Sequence, residues 1–236
     1  MDNSVDLKTV DSKTLANKTS ANTAIEWVVL TKAPIPGLVK TRLIPALGER
    51  AACDVYEQLL KRLQTSLVGL SQNVSTLVRR PQVALWVAGD AEHTAFKSWA
   101  ELATVYQQPQ QGDLGERMAL AVQSSLVRGF IPVLIGVDVP DLDEAYLTHC
   151  LQQFKQFDLV ISPAEDGGYG LLGMTQFYPE LFINKRWGTD TVFTETLNDI
   201  QRLDINTSYL PKVWDVDEVA DVERYFQNCY PCLTIS

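Results

Sequence analysis

The sequence is poor in cysteine and histidine, the residues that most often build disulfide scaffolds and transition-metal centres. Its 236 residues include 4 cysteines and 2 histidines. The cysteines are too few and too scattered for a disulfide framework. Cys229 and Cys232 form a C-x-x-C pair, but it stands at the extreme C-terminus and not at the strand-to-helix turn of a redox motif. A zinc site would require two further ligands nearby, so we interpret the pair as a coincidence.

The two histidines and the low basic charge exclude further function classes. His93 and His149 stand in neither a G-x-S-x-G nor a metal-spaced setting, which argues against a serine hydrolase and a histidine-rich metalloenzyme. Lys and Arg number 20 against 29 Asp and Glu, for a net charge of -9 and a pI of about 4.7. Nucleic-acid binding needs a basic surface and is not expected. Any phosphate-binding site must therefore be a small cluster of basic residues on an otherwise acidic protein.

Long apolar runs are missing as well. None approaches the ~18 residues of a transmembrane helix. Residues 1–24 are polar and lack the apolar core of a signal peptide, so we predict a disordered N-terminal tail and a cytoplasmic protein without a membrane span. Residues 25–228 are expected to form one domain and 229–236 a C-terminal tail. No sequence feature indicates an oligomeric state.

Apolar runs alternate with amphipathic segments in the rhythm of a doubly wound α/β sheet. Strands are predicted at 25–31, 83–89, 104–107, 133–137, 158–163 and 208–213. Helices are predicted at 49–67, 95–102, 113–128, 143–154, 192–203 and 218–227, and the residues of the first are interpreted as core rather than site. Either Thr189 or Asp190 is expected to cap the helix at 192. Residues 169–174 would return at once as an antiparallel insertion.

The central strand, 133–137, runs into an acid. Asp138 stands where the chain leaves the carboxyl end of the sheet, the edge at which open α/β sheets bind ligands, and Pro140 prevents the strand from continuing. Asp138 could be a metal ligand that holds nucleotide phosphates or a helix cap. Asp141 or Asp143 is better placed as the cap. We therefore favour the metal-binding role for Asp138.

A basic loop follows the first strand. Residues 32–43, KAPIPGLVKTRL, place Lys32, Lys40 and Arg42 between a buried strand and a helix. The loop is neither a Walker motif nor a G-x-G-x-x-G motif. Gly37 would let the backbone approach a phosphate, the prolines, Pro36 among them, would stiffen the loop, and the cations would neutralise the phosphate charge. The alternative is a basic turn that only aids solubility.

A second candidate contact for the nucleotide lies at residues 111–118, QGDLGERM. Asp113 can cap the following helix, with Glu116 completing a capping box. That structural role leaves Gly112 and Arg117 unexplained. A helix N-terminus with an arginine in its second turn suits an anion or a base edge.

The strand at 158–163 also leads to an acid, Asp166, followed by a double glycine. If the strands before Asp138 and Asp166 are neighbours in a parallel sheet, the two carboxylates face each other across its carboxyl edge. Two oxygen ligands, phosphates and water make the partly hydrated site that Mg²⁺ prefers. Gly167 and Gly168 would leave room for a sugar or base, and the alternative for this segment is a simple tight turn.

Two further positions complete the candidate site. Trp187 could wall an acceptor pocket. Asp215 or Asp217 could supply a third carboxylate, although Asp217 could equally be the N-cap of the terminal helix.

The sequence resembles the GT-A superfamily, and in particular a bacterial group classed as glycosyltransferases or nucleotide-diphospho-sugar transferases. The resemblance covers almost the whole chain after residue 25. Five motifs in the same order carry it: KAPIPGLVKTRL, GDLGERM, IGVDVPDL, EDGGYGLLG and WGTDTV. It implies a single-domain, Rossmann-like α/β fold, a three-layer sandwich with a mostly parallel central sheet and an antiparallel insertion.

The same layout is similar to phospholactate and molybdenum-cofactor guanylyltransferases, and this similarity implies roles for individual residues. The first loop, with Lys32, Lys40, Thr41 and Arg42, would bind nucleotide phosphates. Asp138 and Asp166 would bind Mg²⁺ or Mn²⁺, with Asp217 a weaker third ligand. Gly167, Gly168, Tyr169 and Trp187 would form the acceptor pocket. The sequence differs from these enzymes in its P-I-P-G loop and at Tyr169, and it has Asp138 and Asp141 in place of the Asp-x-Asp pair of glycosyltransferases.

These observations lead to three hypotheses. The first is glycosyl transfer from a nucleotide-sugar donor to a small-molecule acceptor, with Asp138, Asp166 and Lys40 stabilising the charge that builds on the leaving phosphate. The second is nucleotidyl transfer from a nucleoside triphosphate to a phosphorylated acceptor with release of pyrophosphate. The third is a nucleotide-binding module without catalysis.

Overall fold

The apolar runs form the strands of one central sheet. The computed structural model describes residues 24–73 and 81–229. The strands, in chain order, are β1 (Ile25–Lys32), β2 (Gln82–Ala88), β3 (Ala103–Gln107), β4 (Ile131–Gly136), β5 (Leu159–Pro163), β6 (Tyr169–Met174) and β7 (Thr207–Tyr209). Within the described residues they form a seven-stranded sheet in the order β3-β2-β1-β4-β6-β5-β7. The strand predicted at 104–107 lies at the edge of the sheet, and its residues are only moderately buried there.

The helices pack on both faces of this sheet. They are α1 (Ile44–Asn73), α2 (Leu114–Val127), α3 (Glu144–Gln153), α4 (Val192–Arg202) and α5 (Val219–Cys229). Gly48 has φ 80° and breaks the regular geometry of α1, so the continuous helix begins after it, near the predicted start. The segment predicted as a helix at 95–102 is a 3-10 helix, Thr94–Trp99.

Alternation of side chains along the strands divides the core in two. Val29 and its neighbours on that face pack against α1, α3 and α5, whereas Val28 and its neighbours on the other face pack against α2 and α4. The three layers implied by the resemblance are therefore present. Each fully buried aliphatic side chain contributes roughly 1.5–3 kcal/mol to folding, so the sheet is a firm support for the loops at its ends.

One topological expectation was wrong. β4 and β5 are not neighbours, because β6 lies between them and pairs antiparallel with both. The turn after β5 is short enough to form a hairpin, and the returning strand takes the place beside β4. β4 and β5 are still parallel to each other, so both end at the same edge of the sheet.

The caps of α2 and α3 are those predicted from the sequence, whereas the cap of α4 is not. Asp113 and Glu116 form the capping box of α2, and Asp143 caps α3 by accepting from the backbone N–H of Tyr146. The expected cap of α4 was wrong: Thr191 occupies the N-cap position without a side-chain bond. Thr189 instead donates its hydroxyl to the Arg186 carbonyl, 2.8 Å away, which fixes the preceding turn.

The last strand, β7, ends at Tyr209, earlier than predicted. Pro211 has no N–H to donate to a ladder, and Val213 pairs with Ala164 only through an isolated β-bridge. Residues 1–23 and 230–236 lie outside the described residues, and with them the predicted N-terminal tail, Cys232 and the predicted C-terminal tail apart from Cys229, which is the last residue of α5. None of the helices in the described part of the chain has the length and hydropathy needed to traverse a bilayer.

Candidate functional site

A cavity of about 380 Å³ opens at the carboxyl ends of β1, β2 and β4. It is the edge at which open α/β sheets bind ligands. Its lining includes most of the predicted nucleotide-binding and acidic residues: Lys32, Lys40, Thr41, Arg42, Arg117, Asp138 and Asp217. Residues from four separate parts of the sequence therefore meet in one place.

Lys40 lies at the centre of the contacts in this cavity. Its Nζ is 3.0 Å from Asp138 Oδ2 and 3.4 Å from Asp217 Oδ1, and its side chain is only 4% exposed. The backbone of Lys40 is left-handed, with φ 46°, a conformation that costs a non-glycine residue energy and is common at functional sites. Burial lowers the pKa of Lys40, but the two carboxylates outweigh burial and hold the pKa above its ordinary value. Lys40 is therefore a buried ammonium ion paired with two acids.

Arg42 provides the second cation of the basic loop. Its guanidinium contacts the Asp217 carboxylate, and its side chain is largely exposed. The side chain of Asp221, in the first turn of α5, reaches back and accepts from the backbone N–H of Asp217 at 3.1 Å and of Glu218 at 2.7 Å. The Asp217 carboxylate contacts Lys40 and Arg42 and lines the cavity, so Asp217 lies with the predicted site residues.

Asp215, the other acid that the sequence left open, is not among the residues that line the cavity, but it lies near the acids of the site. Burial, followed by repulsion from Asp166, Asp138 and Asp217, raises the pKa of Asp215 from 3.8 to about 6. The W-D-V-D pattern was the available signal, but it did not distinguish Asp215 from Asp217. Asp215 and Asp217 both belong to the same group of neighbouring acidic side chains.

The loop ends place these acids close enough to interact although β4 and β5 are not adjacent. Val216 donates its backbone N–H to the Asp138 carbonyl at 2.9 Å, which joins the segment after β7 to the segment after β4. Asp166 lies in the turn between β5 and β6, where its side chain accepts from the Gly168 N–H at 2.8 Å. The topology differs from the prediction. Asp138, Asp166 and Asp217 each lie near enough to Asp215 to repel its charge, but Asp166 is not among the residues that line the cavity.

Carboxylates are the ligand type that a divalent cation such as Mg²⁺ prefers. Among the described residues, no group of three or more His, Cys, Asp or Glu side chains is arranged so that it could hold a metal ion. Mg²⁺ does not need such a cage, because it keeps several waters and takes one or two carboxylates together with substrate phosphates. The predicted ligands Asp138 and Asp166 are carboxylates of that kind.

Tyr56 is a cavity residue that the sequence analysis missed. It lies on α1, whose residues were expected to be core alone. Its hydroxyl lies 2.8 Å from Thr31 Oγ1 and accepts from the backbone N–H of Lys32 at 3.0 Å, and it lines the cavity. A single tyrosine on an otherwise aliphatic helix face was the only available signal. Tyr56 fixes the end of β1, from which the basic loop starts.

Two turns that contain glycine position the rest of the basic loop and the start of α2. Gly37 and Gly112 have φ of 85° and 92°, so both turns use a conformation that glycine adopts without strain. Pro36 precedes Gly37 within the first turn, which the backbone N–H of Leu38 closes by donating to the Ile35 carbonyl at 3.0 Å. Arg117 donates to the Gly112 carbonyl at 3.0 Å and reaches the cavity from the start of α2.

The predicted acceptor residues lie together, but they do not line this cavity. The rings of Tyr169 and Trp187 meet edge to face with centroids 6.5 Å apart, and both pack against the core layer formed with α2 and α4. A Cβ at Gly167 would collide with the backbone of Asp190. Gly167 is therefore required for packing of the segment before α4, whereas Gly168 lies beside the Asp166 carboxylate.

Comparison with known proteins supports the fold. The chain aligns with a solved structure of a proposed nucleotide-diphospho-sugar transferase from Desulfovibrio desulfuricans G20 at 28% identity, over 89% of this chain and 90% of that one, with a TM-score of 0.75. Two more distant structures share the fold. One is a 4-diphosphocytidyl-2C-methyl-D-erythritol synthase from Anaerococcus prevotii DSM 20548 (9% identity, 88% and 96% coverage, TM-score 0.55). The other is an inositol-1-phosphate CTP transferase from T. maritima (13% identity, 84% and 91% coverage, TM-score 0.52).

Sequence comparison is narrower. No curated protein matches the chain. Residues 73–189 match the model of a family described as an uncharacterized protein conserved in bacteria, DUF2064. That segment includes β4, Asp138 and Asp166 but not the basic loop. The chain is thus similar to this family over residues 73–189 and shares its fold with a proposed nucleotide-diphospho-sugar transferase.

Proposed function

We propose that the protein is a metal-dependent transferase that uses a nucleotide-sugar donor. The observation that carries the proposal is the contact of buried Lys40 with Asp138 and Asp217 at the ligand-binding edge of the sheet. Cations from the first loop and carboxylates from later loops meet there, and a diphosphate chelating a divalent cation can bridge the two. The 28% identical neighbour, itself a proposed nucleotide-diphospho-sugar transferase, supports the assignment.

The residues of the chain would divide the work between positioning and electrostatics. Lys40, Arg42 and Lys32 would bind the phosphates and stabilise the negative charge that develops when the bond to the leaving diphosphate breaks. Asp138 and Asp166 would hold the metal, which when bound screens phosphate charge. No covalent nucleophile is needed, because a bound acceptor hydroxyl attacks directly. Gly112 and Arg117 would contact the nucleoside at the start of α2.

Nucleotidyl transfer is the second candidate. Lys32, Lys40, Arg42 and Arg117 all line one cavity, and four cations match the charge of a triphosphate better than that of a diphosphate. The two reactions differ in product, because the first releases a nucleoside diphosphate and the second releases pyrophosphate.

A thermal-shift screen with and without Mg²⁺ tests the proposal. Nucleotide sugars and nucleoside triphosphates are added one at a time, and a ligand at 100 times its Kd should stabilise the fold by about 2.7 kcal/mol. For a chain of this size that corresponds to a rise in Tm of roughly 5–10 °C. The ligands that stabilise only with Mg²⁺ are then incubated with candidate acceptors, and diphosphate and pyrophosphate are assayed. Absence of any metal-dependent shift across both ligand classes would refute the proposal.

A further inference from the structure

Three loops bring acids to the site, and these acids repel one another. Asp138 follows β4, Asp166 lies between β5 and β6, and Asp215 and Asp217 follow Val213. Like charges at short distance disfavour the folded arrangement of the three loops. Lys40 offsets part of this repulsion by pairing with Asp138 and Asp217. Contacts between the loops outside the cavity would offset the rest and keep the carboxylates close enough to share one cation.

A continuous chain of side-chain contacts joins the three loops away from the cavity. Trp214 Nε1 donates to Asp141 Oδ1 at 3.1 Å, linking the third loop to the first. The guanidinium of Arg224, on α5, lies over the Trp214 ring at 4.1 Å from its centroid. The same guanidinium makes a two-point contact with Glu165, at 2.8 and 3.1 Å, which reaches the second loop. We call the residues Asp141, Trp214, Arg224 and Glu165 the loop clamp.

Three members of the loop clamp lie next to or near a site acid in the sequence, and the fourth, Arg224, reaches the loops from α5. Glu165 precedes Asp166, Trp214 precedes Asp215, and Asp141 is three residues after Asp138. None of the four is among the residues that line the cavity described above. Trp214 is buried at 4% exposure, so its ring is a rigid support for the guanidinium.

We propose that Arg224 and Trp214 are positioning residues that hold the three acidic loops together for metal binding. The inference rests on the proposed function in so far as the loops bind a metal. The planar guanidinium is suited to this task, because it stacks on an indole and binds a carboxylate through two nitrogens at once. A lysine at 224 would provide the charge without either geometry.

Hydrogen exchange of the loop amides tests the clamp without any ligand. The probes are the N–H of Glu165, which bonds to the Val213 carbonyl, and the N–H of Val216, which bonds to the Asp138 carbonyl. In Arg224→Ala we expect both amides to exchange roughly tenfold faster than in the wild type, while amides of β1 are unchanged. Arg50→Ala is the matched control, since Arg50 pairs with Asp54 at 2.7 Å on α1 and lies outside the cavity.

Milder variants separate the clamp from general destabilisation. Glu165→Gln keeps the shape and removes the ion pair, and Trp214→Phe keeps a ring but removes the N–H that Asp141 accepts. Both should accelerate exchange at Val216 and Glu165, and Arg224→Lys should not restore the protection lost in Arg224→Ala. Unchanged exchange in these loops, or equal acceleration in β1, would overturn the proposal.

Manganese titration gives the second measurement. In the presence of nucleotide, Arg224→Ala should bind Mn²⁺ at least about tenfold more weakly, with nucleotide affinity in EDTA unchanged. Equal Mn²⁺ affinity in variant and wild type would overturn the positioning role while leaving the proposed function intact. If the wild type binds no Mn²⁺ with any nucleotide, the proposed function fails, and so does the metal-positioning role, whereas the exchange data still show whether the four residues clamp the loops.

Discussion

Lys40 and Asp138 are 98 positions apart in the sequence, yet the ammonium of one lies 3.0 Å from the carboxylate of the other. Asp217 joins the same contact from the far end of the chain. Without a ligand, Lys40 therefore neutralises acids that a metal would otherwise neutralise. With the proposed ligands, phosphate would compete with the carboxylates for Lys40, and the metal would compete with Lys40 for Asp138. This competition leads to the first prediction.

Replacing Lys40 by methionine should change nucleotide and metal affinity in opposite directions. Loss of the ammonium should weaken nucleotide binding at least tenfold, equivalent to about 1.4 kcal/mol. Mn²⁺ binding without nucleotide should strengthen, because the cation no longer competes for Asp138. Calorimetric titration measures both. Lys61→Met, on the exposed face of α1, is the control and should change neither affinity; weakening of both affinities in Lys40→Met would contradict the competition.

Replacing Asp138 by asparagine should remove the metal dependence of nucleotide binding. The variant keeps the shape of the side chain but offers the metal a neutral ligand, so the additional rise in Tm produced by Mg²⁺ in the presence of nucleotide should disappear. Differential scanning fluorimetry measures the change, with Asp54→Asn on α1 as the control. If Asp138→Asn retains the full effect of Mg²⁺, the metal lies elsewhere.

Asp215 should make the metal-free protein less stable as the pH rises. Its pKa is raised from 3.8 to about 6 in the folded state, so between these values the folded state binds more protons than the unfolded state. Stability therefore falls as pH rises through this window, by linkage. Asp215→Asn should reduce this fall and be more stable than the wild type at pH 8 in EDTA. Urea unfolding at pH 4, 5, 6, 7 and 8 measures the effect, and an unchanged pH profile would contradict the assignment.

Replacing Gly167 by alanine should destabilise the fold through crowding as well as strain. Gly167 and Gly129 have nearly equal φ, 86° and 83°, but only Gly167 has backbone atoms of Asp190 where a Cβ would lie. Gly129→Ala should cost about 1 kcal/mol from backbone strain alone. Gly167→Ala should cost at least roughly 2 kcal/mol more, because the segment before α4 must move. Equal losses in denaturant unfolding would show that the two segments are not tightly packed.

Local rules predicted much of this molecule because they depend on near neighbours in the chain. The Asp113 capping box, the Asp143 cap and the strands before the acids all follow from side chains within a few positions of one another. The same rules failed where distant segments intervened. β6 inserted between β4 and β5, Tyr56 reached the cavity from α1, and Trp187 packed against Tyr169 away from the cavity that holds Lys40.

The sequence alone was sufficient to predict that the basic loop, the acid after β4 and the acid after β5 belong to one candidate site. This prediction was possible because parallel strands bring their carboxyl ends to one edge of the sheet. Only the tertiary structure decided which atoms meet there. Lys40 pairs with Asp138 and Asp217, and Asp215 interacts electrostatically with both acids. The hairpin of β5 and β6 and the loop clamp set the spacing of these loops, which rules based on near neighbours in the sequence do not predict. Long-range packing sets those distances, and electrostatic interactions depend on distance.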